Sequence, residues 1–169
     1  YDTLTAREYL TFTGELYDLT EKEVNHKAAK LMELFGIKRV YDARISSFSK
    51  GMKQRLLIIS SLLHNPDLLF LDEPLAGLDA NSVMIVKELL AILASKGKTI
   101  FYSSHIMDVV EKISSRIILL NKGEIIADGS FDSLKEQIQE ASLEQIFNQL
   151  TGFDQHEEIA HEIVSVIEG

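Results

Sequence analysis

Two carboxylates, Asp72 and Glu73, arrive together at the end of the apolar run Leu68-Leu69-Phe70-Leu71. Adjacent acids can divide one job. Asp72 can hold a hard cation such as Mg²⁺ through oxygen, directly or through water, while Glu73 stays free to orient an attacking water. A solvated pair of acids at a loop entrance is the plainer alternative, and the pair alone does not exclude it. His105 ends the stretch Tyr102-Ser103-Ser104-His105. A lone histidine after a strand is usually structural; beside the two acids, an imidazole donating to a phosphoryl oxygen or stabilising its developing charge becomes the stronger reading. Ser49 precedes a helical pattern that begins at Lys50. A helix N-terminus presents free amides and partial positive charge, which suits an anionic phosphate. The Ser49 hydroxyl, the Gly51 and Met52 amides and the Lys50 charge are the groups expected to serve it, against the alternative of a capped amphipathic helix with no ligand.

These residues need elements to hold them. Four consecutive apolar residues before Asp72 leave no polar face, so the spacing predicts a strand buried on both sides, in a parallel sheet whose ligands gather at strand C-termini. Pro74 prevents further pairing there. Lys98 to Ser103 reads as a second buried strand that leads to His105. Ser49 caps a helix from Lys50 to Leu63 with Met52, Leu56, Ile59 and Leu63 along one stripe. Asp79 caps another, with Val83, Val86, Leu90 and Leu93 on its buried side and Gly97 as its stop.

Toward the N-terminus, Thr5 with Glu8 and Thr20 with Glu23 form two capping boxes. A helix is expected from about Ala6 to Leu16, and a second carries Val24, Ala28, Leu31, Met32 and Phe35 at helical spacing up to Gly36. Ile37 to Ser47 has no clear period and reads as an irregular connector. After His105, a helix over Ile106 to Lys112 precedes strands at Arg116 to Leu120 and Glu124 to Ala127. Asn121-Lys122-Gly123 joins these strands in a hairpin expected to finish the sheet. In the tail, Ser130 caps one helix, and Ser142 with Gln145 makes a third capping box ahead of the stripe Leu143, Ile146, Phe147 and Leu150. Asp154 with Glu157 is expected to start a last helix bearing Ile159, Ile163 and Val166.

Composition narrows the classes. With 46% hydrophobic residues the chain can bury a core, and a net charge of −9 argues against a nucleic-acid groove, which needs clustered Lys and Arg. Absence of cysteine excludes disulfides and thiolate metal sites. No uncharged apolar run approaches the length needed to cross a bilayer; the longest candidate, Leu56 to Pro66, is interrupted by Ser60, Ser61, His64 and Asn65.

In order and approximate spacing, Phe48-Ser49-Lys50-Gly51-Met52 resembles the signature motif of the ABC-type ATPases, and Leu68 to Glu73 their Walker B strand. Leu75 to Asp79 is similar to their D-loop, and His105 to their switch histidine. Four motifs in the right order are far more specific than any one. The signature departs from the family's usual Leu-Ser-Gly-Gly-Gln in losing the glutamine amide and gaining a cation at Lys50. Signatures with Lys and Met in these places resemble those of ATPases that serve export permeases, and Ser142 to Gly152 resembles the end of the ATP-binding subunits of ABC-2-type exporters. The phosphate-cradling pattern Gly-x-x-x-x-Gly-Lys-Ser/Thr does not occur in the chain.

The resemblance implies an α/β fold: a partial P-loop NTPase-type sheet with a helical subdomain over 1–47, the signature helix and ATPase core over 48–129, and a helical tail over 130–169. It implies that the phosphate loop and the glutamine-bearing loop precede Tyr1, so that the chain is the C-terminal part of a nucleotide-binding domain and inactive by itself. It implies ATP and Mg²⁺ as ligands, with Asp72 on the metal, Glu73 and His105 as catalytic groups, and Phe48, Ser49, Lys50, Gly51, Met52 and Asp79 on a nucleotide shared across a dimer. The implied partners are a second nucleotide-binding subunit and a transmembrane permease, with this subunit cytoplasmic and peripheral at the inner face of the membrane. Tyr1, Tyr9, Phe12 and Tyr17 could contribute to the permease contact or pack the helical hairpin internally. Two alternatives stay open: a soluble ABC-type ATPase acting on DNA or ribosomes, which would call for coiled-coil insertions, tandem cassettes or basic extensions, and a non-catalytic interaction module.

Overall fold

The computed structural model describes every residue except Phe153, Asp154 and Gly169, and of His156 and Glu157 it describes the backbone alone. The chain forms two compact units, residues 1–104 and 105–169. In the first, α1 (Ala6–Glu15) and α2 (Glu21–Leu34) are followed by two short 3₁₀ turns, α3 (Lys50–Leu62), β1 (Leu68–Asp72), α4 (Ala80–Ser95) and β2 (Thr99–Ser103). The second holds α5 (Met107–Ile113), the strands β3 (Ile117–Asn121) and β4 (Glu124–Gly129), and three further helices, α6 (Phe131–Ile138), α7 (Leu143–Thr151) and α8 (His156–Glu168).

The helix starts follow local chemistry. Both N-terminal capping boxes form, with Thr5 and Thr20 accepting from the amides of Glu8 and Glu23 while those carboxylates reach back to the threonine amides. Hairpin packing depends on Gly14, where a Cβ would lie 2.3 Å from Val24 Cγ2, so the missing side chain permits the close approach of α1 and α2. Leu10, Val24, Ala28 and Met32 are buried at the seam, together with Leu56 and Ile59 from α3 and Leu63 just after it. Full burial of a side chain of the Leu, Ile or Met size is worth about 1.5–3 kcal/mol.

The connector after α2, expected to be irregular, carries the two 3₁₀ turns, Lys38–Val40 and Ile45–Ser47, and is fixed by side chains from the helices. Arg7 Nε donates to Asp42 at 2.7 Å, its Nη1 donates to Asn25 at 3.0 Å, and its guanidinium lies 4.3 Å from the centre of the Tyr41 ring. Bonding to Arg7 holds the Asp42 carboxyl below its ordinary range.

Tyr1 leans on Tyr9 and Phe12, with ring centres 5.4 and 5.8 Å apart. Tyr17 stacks face to face on His64 at 3.6 Å. Burial, and secondarily the charge of Lys27, pushes the His64 pKa below its ordinary 6.5, and its Nδ1 is enclosed without a hydrogen-bond partner. The unfolded chain therefore takes up a proton as pH falls through 6.5 before the folded chain does, so the stability this ring contributes is present above that pH and lost below it. His64→Phe, which keeps a stacking ring and removes the titration, is expected to flatten the thermal midpoint between pH 7 and 5 relative to the parent. Parallel midpoint curves for the two proteins would refute that assignment.

Two expectations for the sheet are corrected. The strands β1 and β2 pair in parallel, but only one face of the pair is covered: Leu69 is 3% exposed, whereas Phe70 is 72% and Phe101 51% exposed. Phe70 and Phe101 are register partners, so they share the open face and stack at 5.2 Å. A continuous apolar run records which residues tolerate burial; which face is covered depends on the layers packed around it. Nor does the hairpin finish that sheet. Among the described residues β3 and β4 form a separate antiparallel two-stranded sheet, turning through Lys122 (φ 50°) and Gly123 (φ 85°).

In the second unit Ile117, Leu119, Leu134, Leu143 and Ile146 make the core. Ser130 and Ser142 cap their helices as the sequence predicts, the latter in a capping box with Gln145. Leu150 ends the expected stripe at 37% exposure. The expected helix start at Asp154 and Glu157 lies outside the described residues. Ile159, Ile163 and Val166 ride on the last helix largely exposed.

Candidate active site at the ends of the parallel strands

Parallel pairing brings the last residues of both strands abreast, with Asp72 the register partner of Ser103. The Ser103 hydroxyl donates to Asp72 Oδ1. One residue on, the Glu73 amide donates to both the carbonyl and the hydroxyl oxygen of Ser103, each at 3.2 Å. Glu73 has a left-handed backbone, φ 45°. A non-glycine residue held there costs of order 1–3 kcal/mol and persists where its surroundings over-determine it. Here the surroundings are Ser103 on one side and, on the other, the Gln54 side chain, which donates to the Glu73 carbonyl at 3.4 Å. Pro74 and Leu75 are buried directly afterwards. Asp72 is exposed and Glu73 half-buried, so the acids sit at a surface open to a ligand.

The signature segment rests on the loop that follows the acids. Ser49 caps α3 by accepting from the Met52 amide at 3.3 Å. The Met52 amide is thus engaged by the cap of its own helix. Gly51 lies so close to Gly77 that a Cβ on it would stand 2.6 Å from the Gly77 carbonyl oxygen. Gly77 itself has φ +73°, and the Lys50 side-chain stem passes 3.1 Å from where its Cβ would be. Phe48 is buried at 6% exposure, so its side chain belongs to the core of this unit.

Arg55, one helical turn beyond Gly51, ties three elements together. It donates to the Gly51 carbonyl at 3.3 Å, to the Phe35 carbonyl at the end of α2 at 3.1 Å, and to Asp79 Oδ2 at 3.3 Å. Asp79 caps α4, accepting from the Ser82 amide at 3.0 Å and the Ser82 hydroxyl at 2.7 Å. Those Ser82 bonds, the backbone one first, hold the Asp79 carboxyl below its ordinary range, with Arg55 adding to the effect. Asp72 and Glu73 thus share one strand end, while the start of α3, from Ser49 to Met52, packs on the loop that leads from them to Asp79. His105 is the first residue of the second unit, two positions after Ser103.

Sequence reasoning passed over Ser103, Gln54, Arg55 and Gly77. For Ser103 a signal existed: two parallel strands that each end in a polar residue put those residues abreast. Arg55 offered only its spacing of four from Gly51.

As for a metal, no group of three or more His, Cys, Asp or Glu side chains suited to an ion occurs among the described residues. Mg²⁺ does not need one, because it binds through one or two carboxylates together with waters and substrate phosphates. Asp72 fits that role, having one oxygen bonded to Ser103 and a second on an exposed side chain.

A family model described as ABC transporter matches residues 2–76, which contain the signature segment and both acids. The ATP-binding protein NatA of Bacillus subtilis (strain 168) is 38% identical over 87% of this chain. The chain belongs to the ABC transporter ATP-binding family. Other relatives include the linearmycin resistance ATP-binding protein LnrL of the same bacterium, 41% identical over 77% of this chain, and the Nod factor export ATP-binding protein I of Rhizobium meliloti, 37% identical over 74%. A solved structure described as an ATP-binding subunit of an ABC transporter superposes over 89% of the chain with a TM-score of 0.82 and 31% identity, which shows the family's α/β fold here. The chain spans 60% of NatA, 42% of LnrL, 37% of the Nod factor protein and 64% of that solved chain.

Proposed function

We propose that these residues belong to an ATP-hydrolysing subunit that powers a separate membrane permease working as an exporter. The observation that carries this reading is the strand-end pair, an outward carboxylate held by Ser103 beside a second acid on a fixed, strained backbone. Two of the relatives are named for export or resistance, which favours the exporter direction. Among the described residues no helix is long and apolar enough to cross a membrane.

In this mechanism Asp72 would hold Mg²⁺, which when bound would neutralise charge on the phosphates of the nucleotide. Glu73 orients the attacking water and accepts its proton. His105 donates to the γ-phosphoryl oxygen and registers its loss. Ser49, Lys50 and the Gly51 amide, at the start of the capped helix, present donors and positive charge to the nucleotide of a second subunit, and the D-loop Asp79 stands beside them. Residues 1–47 form a helical subdomain that meets the permease on the cytoplasmic side, 48–129 the ATPase core and 130–169 a tail. The 169 residues alone, which contain no phosphate-cradling Gly-x-x-x-x-Gly-Lys-Ser/Thr pattern, are not expected to hydrolyse ATP.

His105→Ala in the complete subunit tests the assignment of the imidazole. Turnover is expected to fall by about 10²-fold or more, the usual worth of a positioned acid-base group, with nucleotide affinity nearly unchanged. A variant that turns over at the parent rate would remove His105 from the mechanism.

A further inference from the structure

We infer that Ser103 is a positioning residue for both acids, a role that rests on the ATPase reading above. One hydroxyl group serves two neighbours. Its proton goes to Asp72 Oδ1, and its oxygen accepts from the Glu73 amide at 3.2 Å. A serine hydroxyl has one donor and two acceptor positions, so both bonds form at once. The bond to Asp72 fixes the rotamer of the carboxylate and leaves the other oxygen for the metal. The bond to Glu73 helps hold the φ 45° backbone from which that side chain departs.

The fold does not depend on this hydroxyl. Ser103 is exposed, and if the hydroxyl is lost the Glu73 amide keeps the Ser103 carbonyl at 3.2 Å. Packing gives no reason for serine at this place, since Val, Ile and Thr are the better strand residues. Losing the hydroxyl is therefore a change at the site, felt by the acids before the strand.

The test uses an isosteric pair in the complete subunit. Ser103→Thr keeps the hydroxyl, and Ser103→Val has the same shape without it. Groups that orient a metal ligand from behind are typically worth about 10- to 100-fold in metal affinity or activity. Ser103→Val is expected to lose that much in kcat for ATP with KM little changed. Mn²⁺ titrated in place of Mg²⁺ in the presence of a non-hydrolysable ATP analogue, and followed by its magnetic resonance signal, should bind correspondingly more weakly. Ser103→Thr should retain most of both, and the thermal midpoints of the two variants should agree. Equal kcat and equal Mn²⁺ affinity in the Thr and Val variants would overturn the inference, as would a folded Thr variant as impaired as Val. Glu73→Gln, run alongside, separates the two levels: normal turnover in that variant defeats the ATPase assignment, whereas its loss beside a fully active Ser103→Val defeats the role of Ser103 alone.

Discussion

Glu73→Gln in the complete subunit is expected to lower steady-state ATP hydrolysis by about 10²- to 10⁴-fold, the range a positioned acid-base group supplies. Nucleotide affinity should stay near that of the parent, because the substitution removes a proton acceptor and keeps the shape. The backbone of Glu73 is held by bonds that do not involve its carboxylate, from the amide to Ser103 and from Gln54 to the carbonyl. An amide in place of the acid keeps those backbone bonds. If hydrolysis requires two subunits closed on nucleotide, the variant should also accumulate as a dimer in Mg-ATP, measurable by sedimentation or size-exclusion chromatography. Hydrolysis at the parent rate would exclude Glu73 as the general base.

The second large effect is structural. Gly51 sits in the first turn of α3, where helix propensity alone would reward alanine by about 1 kcal/mol. Against this, a Cβ would stand 2.6 Å from the carbonyl oxygen of Gly77, a backbone atom with no rotamer to change. Relief requires moving either the helix N-terminus or the loop from Glu73 to Asp79. Overpacking of this kind typically costs about 1–3 kcal/mol, so the clash outweighs the propensity gain and Gly51→Ala should destabilise. The displaced loop begins at Glu73, whose carbonyl accepts from the Ala76 amide at 3.0 Å, so hydrolysis should fall together with stability. Calorimetric melting and steady-state hydrolysis of the one variant check both statements. A midpoint equal to or above the parent's would show that the loop moves aside without strain.

The two predictions draw on different sources. The Glu73 role rests on motif order, which the chain displays linearly: signature, paired acids, D-loop and histidine in succession. Gly51 is a signature residue by sequence, but its contact with Gly77 belongs to the folded loop. The spacing shows a glycine and gives no sign of what it touches.

What the sequence determined by itself is whatever depends on neighbours a few positions apart. Thr5, Thr20, Ser49, Asp79, Ser130 and Ser142 each cap a helix because the acceptor and the amide it satisfies are within three residues, and the Lys122-Gly123 turn needs only its own dihedral angles. Tertiary structure alone decided the rest. It brought Ser103 beside Asp72, joined Arg55 to Phe35 and Asp79, left Phe70 and Phe101 on an open face and, among the described residues, made the hairpin a sheet of its own. The physical reason is range: capping and turn energies are satisfied within one turn of chain, whereas strand partners and covered faces are settled by which distant segments pack together. Apolar composition permits several such packings and specifies none of them.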